Sequence, residues 1–181
     1  MDTMPVIVRD LTDEEAVITM VDSNLQREHI LPSEKAFAYK MKMEALKHQG
    51  RTLGQVGPKW SITEIAESTS DSERQIKRYI RLTHLIPDIL KLVDEGKIAL
   101  TPAVELSYLQ PSEQEMLFSV MDSDEVTPSL SQARRLRRMS EAQTLTDDAV
   151  LQLLSEVKGN QVEYVLSLIH ISEPTRRVVI S

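Results

Sequence analysis

Four cations in the segment 62–81, ITEIAESTSDSERQIKRYIR, are the residues whose types and spacing most clearly indicate chemistry. Arg74, Lys77, Arg78 and Arg81 are spaced i, i+3, i+4 and i+7, which places them on one side of an α-helix. Cations on one helical face can neutralise phosphates, and an arginine can donate two hydrogen bonds to a guanine edge. The segment therefore predicts DNA binding, with an ordinary amphipathic helix and a solvated cationic face as the alternative.

The residues around these cations predict a helix-turn-helix. Each helix has an apolar face at helical spacing, formed by Ile62, Ile65 and Ala66 in the first and by Ile76, Tyr79 and Ile80 in the second. A polar break at 68–72 separates the helices, Ser72 with Gln75 fits a capping box, and the small Ala66 lies where the helices cross. Such a unit holds its second helix in the major groove. The predicted DNA contacts are Ser72, Arg74, Gln75, Lys77, Arg78 and Arg81.

A second group of arginines lies at 134–138, in a helix predicted to begin at Ser129 or Ser131. Arg134, Arg135 and Arg138 can line one side of that helix, which also holds Arg137. These three side chains are further candidates for phosphate contacts. A solvated basic face explains the same pattern, and the pattern does not decide between the two.

The segment 22–28, DSNLQRE, is a predicted polar loop between two helices and a second place where chemistry can reside. An amide oxygen of Asn24 or Gln26 can bind Mg²⁺, and the guanidinium of Arg27 can hold a phosphate. A polar loop with one arginine is common, so a loop without a ligand is the alternative. His29, His48 and His84 lack the spacing of a metal site and are expected on the surface or at helix caps.

Composition limits the classes of protein that fit. The 181 residues suffice for one or two domains, and the absence of cysteine excludes disulfides and thiolate metal sites. No run of about 18 apolar residues exists, and the first residues do not resemble a signal peptide, so we expect a cytoplasmic protein. The net charge of −7 argues against a general nucleic-acid coat but allows a local basic site.

The remaining sequence predicts a mainly α protein. Residues 6–9 are a strand candidate, Thr12 with Glu15 begins a helix to about 21, and 22–31 is a loop. Pro32 begins a helix to about 48 with Phe37, Ala38, Met41 and Ala45 as its buried stripe, and 49–60 is a linker. Later helices are predicted from Pro87 to Gly96, at 101–109, from Ser112 with Glu115 to about 121, and from Thr146.

The order of the motifs along the chain resembles that of the ParB/RepB family of DNA partition proteins. NLQRE, LPSEKAFAY, RYIRL and LIPDILKLVDEGKIALTPAVELSYL carry the resemblance, which covers about 6–159. It implies the end of a CTP-binding domain at 1–48, a linker at 49–60, a helix-turn-helix domain at 61–158 and a tail at 159–181. It also implies a homodimer that recognises a palindromic centromere-like site, a partition ATPase as partner, and a nucleoid or plasmid location. In that family, CTP with Mg²⁺ closes the dimer into a sliding clamp.

The sequence departs from the family pattern in two places. The first two nucleotide motifs of the family do not occur, and in the third Ser23 replaces a glutamate while Asn24, Gln26 and Arg27 match. We therefore expect neither a CTP or Mg²⁺ cofactor nor catalysis in this chain. From about 166, LSLIHISEPTRRVVIS changes to apolar and β-branched residues. We interpret it as a non-native tail rather than a terminal strand and assign His170, Arg176 and Arg177 no function.

Three functions fit these observations. The first is site-specific DNA binding in the partition of a plasmid, mobile element or chromosome. The second is transcriptional regulation by a helix-turn-helix protein. The third is CTP hydrolysis or nuclease activity, which no Ser/His/Asp arrangement, metal cluster or phosphate-binding glycine loop in the sequence supports.

Overall fold

A computed structural model describes residues 10–52 and 58–156, and this part of the chain is helical with no strand. Its helices are α1 (Asp13–Leu25), α2 (Pro32–Thr52), α3 (Pro58–Ser68), α4 (Glu73–Leu82), α5 (Pro87–Asp94), α6 (Leu100–Leu106), α7 (Pro111–Asp124), α8 (Leu130–Glu141) and α9 (Asp147–Ser155). The prediction of a mainly α fold is confirmed. The strand predicted at 6–9 and the tail from 159 lie outside the described residues.

Capping residues explain most of the helix starts. Thr12 and Glu15 form the predicted capping box of α1, and Thr146 caps α9 as predicted. For α8, Ser129 rather than Ser131 is the cap. The box predicted at Ser112 is wrong, because Pro111 occupies the first helical position and Gln110 with Glu113 forms the box instead.

The end of α1 differs from the sequence prediction. A loop was expected from residue 22, but α1 continues through Leu25. Two side chains explain the longer helix: Asp22 accepts a hydrogen bond from Lys42 of α2, and the Ser23 hydroxyl donates to the carbonyl of Thr19, at 2.9 Å. Polar residues that read as a loop in sequence are therefore compatible with a helix once α2 supplies a partner.

Other helix ends also differ from their predicted positions. Helix α2 runs to Thr52 rather than 48 and α7 to Asp124 rather than 121, whereas α6 ends at Leu106 rather than 109. The end of α5 agrees with the prediction, because Gly96 follows it with a φ of 73°. That left-handed conformation costs glycine little and other residues more.

The predicted buried stripe of α2 is largely wrong. Phe37 is 46% exposed and Met41 is 41% exposed, whereas Tyr39 and Lys42 are buried. Only Ala45 of the predicted stripe is buried. The buried face is rotated because α2 packs against α4 as well as α1, and the polar ends of Tyr39 and Lys42 find charged partners there.

Two apolar clusters form the core. The smaller cluster joins Tyr39 and Leu46 of α2 to Ile65 of α3 and Ile76 of α4. The larger cluster joins the helices from α5 to α9 to Ala36 of α2 and Leu82 of α4, and Tyr79 packs against both clusters. Helices on either side of the predicted linker at 49–60 thus share one core, while the division into domains stays a prediction.

Candidate nucleic-acid interface

Helix α4 is fixed by its buried side. Ile76 has no solvent exposure and packs with Ile65 of α3, and Ala66 packs against the same cluster. Residues 69–72 connect the two helices, and the hydroxyl of Ser72 accepts a hydrogen bond from the backbone N–H of Gln75, at 3.3 Å. Both predicted helices are therefore present and Ser72 caps α4, but the capping box is incomplete because the Gln75 side chain accepts from Arg78 instead. The buried contacts give the outer face of α4 a defined orientation.

A network beneath the connection between α3 and α4 ties both to α2. The carboxylate of Asp71 accepts hydrogen bonds from Lys35 at 2.7 Å and from the buried hydroxyl of Tyr39 at 2.5 Å. Burial alone would raise the pKa of Asp71, but the bonds from Lys35 and Tyr39 and the Lys35 charge lower it below its usual value. Burial, assisted by the bond to Asp71 and its charge, raises the pKa of Tyr39.

The outer face of α4 borders a groove of about 430 Å³. The residues that line it are Glu73, Arg74, Lys77, Arg78, Arg81, Val104 and Tyr108. All four cations predicted from their spacing in α4 are therefore on one surface. The far wall belongs to α6 and the turn after it, which the spacing alone could not indicate.

The four cations of α4 are held differently. Within the described residues Arg74 makes no ion pair, and Lys77 makes only a long one of 3.8 Å with Glu73. Arg78 donates to Gln75 and to Thr101, which orients its guanidinium along the groove. Arg81 donates to the hydroxyl of Ser107 at 3.1 Å and to its carbonyl at 2.8 Å. Arg81 is thus an anchor between α4 and the end of α6, in addition to its predicted phosphate contact.

Tyr108 joins the two basic groups that the sequence places far apart. The guanidinium carbon of Arg81 lies 4.0 Å from the centroid of the Tyr108 ring, and that of Arg137 lies 3.7 Å from it. Arg137 was not among the predicted DNA contacts. No local signal distinguishes it from its neighbours, because its position depends on how α8 packs against α6.

The three arginines predicted from α8 do not converge on one partner. Arg134 lies 3.6 Å from Glu105 of α6, and Arg135 pairs with Glu156, which follows α9. Arg138 is exposed and forms no ion pair with any described residue. Arg134 therefore contacts α6, whereas Arg135 contacts the residue after α9.

The residues predicted for nucleotide binding lie at the end of α1. Asn24 is within the helix, Gln26 is its C-cap, and Arg27 follows, so the predicted loop position is corrected here too. Asn24 and Arg27 line a pocket of about 320 Å³ whose other walls are mostly apolar, with Glu34 as a further charged group. Gln26 is exposed and outside that lining.

The described residues contain neither a metal-binding cluster nor a membrane-spanning helix. No group of three or more His, Asp or Glu side chains there could hold a metal ion, and His29, His48 and His84 are all exposed. Burial and then the nearby charges of Arg81 and Lys40 lower the pKa of His84. None of the helices in this part of the chain has both the length and the apolarity to span a bilayer.

Comparison with known proteins gives relatives of one kind. Chromosome-partitioning protein Spo0J of Thermus thermophilus is 31% identical over 134 residues, which are 74% of this chain and 44% of that protein. A probable chromosome 1-partitioning protein ParB of Deinococcus radiodurans is 35% identical over 100 residues, 55% of this chain and 30% of its own length. A probable chromosome-partitioning protein ParB of Coxiella burnetii is 26% identical over 111 residues, 61% of this chain and 34% of its own length.

Over 55–74% of its length the chain is thus similar to chromosome-partitioning proteins of the ParB type. The resemblance inferred from the sequence motifs is thereby confirmed, although no profile of a known protein family matches the chain. The chain spans less than half the length of the curated relatives it matches.

The geometry of the groove indicates what it can bind. Hydrogen bonds to α6 and its end orient Arg78 and Arg81, whereas Arg74 and Lys77 extend from the same helix with little or no ion pairing among the described residues. A surface of this kind can bind the phosphates of a polyanion and aim arginines at base edges.

Proposed function

We propose that this chain binds double-stranded DNA at a specific site, as the DNA-reading part of a partition protein. One observation carries the proposal: α4 buries Ile76 and Leu82 completely while its opposite face presents Arg74, Lys77 and Arg78 to a groove. The relatives from Thermus thermophilus and Deinococcus radiodurans are named as chromosome-partitioning proteins, which supports the same function.

The roles of the cations follow from their positions on α4. Residues near the start of a recognition helix usually reach base edges, so Arg74, Gln75 and Arg78 are assigned to base reading. Lys77 and Arg81 are assigned to phosphates, with Ser72 at the helix start. The hydrogen bond between Arg78 and Gln75, at 3.2 Å, would present these two side chains to the DNA as one unit.

The other parts of the proposal come from the family. A homodimer would place two copies of α4 on two half-sites, and its two-fold symmetry would match a palindrome. A centromere-like palindrome, a partition ATPase as partner, and a cytoplasmic location at the nucleoid or on a plasmid complete the proposed function. Arg134, Arg135 and Arg138 are assigned to additional phosphate contacts on the same grounds.

Selection of genomic DNA fragments by the purified chain, followed by sequencing, tests this function. We expect one enriched palindrome, bound much more tightly than a scrambled duplex at the same salt concentration, because specific sites exceed random DNA by about 10³-fold or more. Enrichment of a palindrome within a promoter whose transcription responds to the protein would favour a regulator instead. Equal binding to every duplex would contradict site-specific recognition.

A further inference from the structure

Tyr108 and its two arginines form an arrangement that the sequence did not indicate. Both guanidinium carbons lie within 4.0 Å of the ring centroid, which is too close for two such groups to share one face of the ring. Arg81 and Arg137 therefore lie on opposite faces of Tyr108. The ring separates two like charges and attracts both through its π-electrons.

We propose that Arg81, Tyr108 and Arg137 form a clamp for the DNA backbone, in which the two guanidinium groups bind successive phosphates of one strand. The inference rests on the proposed DNA-binding function and extends the contact surface from α4 to α8. Their separation across the ring is comparable with the distance between neighbouring phosphates on a strand. We call this set the Tyr108 clamp.

The hydrogen bonds within the clamp leave donors for a ligand. Arg81 uses Nε and Nη2 on Ser107, and Arg137 uses Nε on Glu141 and Nη1 on Glu105. Among the described residues, Nη1 of Arg81, Nη2 of Arg137 and the Tyr108 hydroxyl have no partner. Each guanidinium thus retains one NH₂ group, while its remaining nitrogens hold it in a fixed orientation.

Two members of the clamp border the groove beside α4, and Arg137 contacts the Tyr108 ring from outside that lining. Tyr108 is 41% exposed, and both Tyr108 and Arg81 line that groove together with the cations of α4. A strand that follows α4 would therefore meet Arg81 and then Arg137. The two basic groups of the sequence, at 74–81 and 134–138, would act as one surface through this ring.

Two carboxylates compete with phosphate for Arg137. Glu105 is shared between Arg137, at 3.0 Å, and Arg134, at 3.6 Å, so it cannot neutralise both. Glu141 pairs with Arg137 at 2.8 Å, one turn along the same exposed helix surface. Among the described residues, Glu141 accepts from Nε and leaves Nη2 free, so its charge weakens phosphate binding without occupying the remaining donor.

The salt dependence of DNA affinity tests the clamp in the full chain, with a mixed-sequence duplex as probe. Each phosphate contact contributes about 0.9 to the slope of log affinity against log salt concentration. We expect Arg137→Gln to reduce that slope by about one. Lys91→Gln, an exposed cation of α5 paired with Glu95, should leave the slope unchanged and serves as the matched control.

Three further variants and one control sharpen the test. Tyr108→Ala should weaken binding about fivefold or more, because two cation–π contacts position the guanidinium groups. Tyr108→Phe keeps both contacts and should stay within about twofold of the unmodified chain, since it loses only the hydroxyl. Glu141→Gln removes the competing carboxylate and should strengthen binding, whereas Glu115→Gln on α7 should not.

The outcomes separate the clamp from the proposed function. If the unmodified chain shows no salt-dependent DNA binding, the proposed function fails and the clamp fails with it. If the unmodified chain binds but Arg137→Gln keeps the full slope, the clamp is overturned and the proposed function stands. A lower melting temperature of Arg137→Gln with an unchanged slope would likewise overturn the clamp, because it would assign Arg137 a structural role only.

Discussion

The two sides of α4 are fixed by different kinds of contact. On the side facing α2, Ile76 is fully buried and the connection before α4 is held by Asp71, Lys35 and Tyr39. On the side facing α6, the half-buried Arg81 holds α4 through a hydrogen bond to the Ser107 carbonyl and a contact with the Tyr108 ring. The first side excludes water, whereas the second retains donors that a phosphate can use.

This difference predicts that stability and recognition are separable in the helix. Removing a buried apolar group costs several kcal/mol, whereas exposed ion pairs are worth about 0–1 kcal/mol. Substitutions on the α2 side should therefore change the free energy of unfolding. Substitutions on the α6 side should change DNA affinity while leaving the fold in place.

The largest expected effect is at Ile76. Ile76→Ala should lower the free energy of unfolding by about 2–5 kcal/mol, because the side chain is completely buried between α2 and α3. Chemical denaturation followed by circular dichroism measures the change. Lys77→Ala, one residue further and exposed, should stay within about 0.5 kcal/mol. An unchanged midpoint for Ile76→Ala would contradict the packing of α4 on this side.

A smaller loss is expected from the network at Asp71. Tyr39→Phe and Asp71→Asn should each cost about 1–3 kcal/mol at pH 7, because each leaves a buried or half-buried group without its partner. The pKa of Asp71 is lower in the folded state than in the unfolded state. Its stabilisation is therefore present above the unfolded pKa of about 4 and is lost as the pH falls through the folded value.

The pH dependence distinguishes this network from simple packing. The stability advantage of the unmodified chain over Asp71→Asn should be complete at pH 7 and shrink below about pH 4. Denaturation series at several pH values measure it. An advantage of the same size at pH 7 and pH 3 would show that the Asp71 charge does not contribute. Glu115→Gln, at an exposed position of α7, serves as the control for a general charge effect.

On the opposite side, Arg78 should affect binding without affecting stability. Arg78→Ala should weaken binding to the selected palindrome by about 1–3 kcal/mol more than binding to a scrambled duplex, since one arginine can read a guanine. Lys77→Ala should weaken both duplexes alike and reduce the salt slope by about one. Equal losses on both duplexes for Arg74→Ala, Gln75→Ala and Arg78→Ala would remove the assignment to base reading.

Local sequence patterns predicted α4 well because the residues that determine its start and its cationic face are close together in the sequence. The i, i+3, i+4, i+7 spacing of the cations and the cap at Ser72 both lie within one short segment. The buried face of α2 was missed because Tyr39 and Lys42 are polar in sequence and become buried only through Asp71 and Asp22.

Contacts between distant segments could not be predicted from spacing. All of α7 and the first half of α8 separate Tyr108 from Arg137, and nothing in the sequence between them indicates that they meet. Helix α8 carries four arginines, and the packing of α8 against α6 determines that Arg137 is the one that reaches the Tyr108 ring. The domain boundaries and the roles of the DNA contacts remain predictions.

The smallest expected effect concerns the pocket beside α1. It carries one cation, Arg27, and one amide, Asn24, among mostly apolar walls, and Glu34 would repel a triphosphate. So few donors cannot offset the entropy lost when a free nucleotide is fixed. Calorimetry with CTP and Mg²⁺ should therefore detect no binding at micromolar concentration, and Arg27→Ala should change neither the melting temperature nor the DNA affinity. Tight binding of CTP that Arg27→Ala abolishes would instead make this pocket a nucleotide site, separate from both sides of α4.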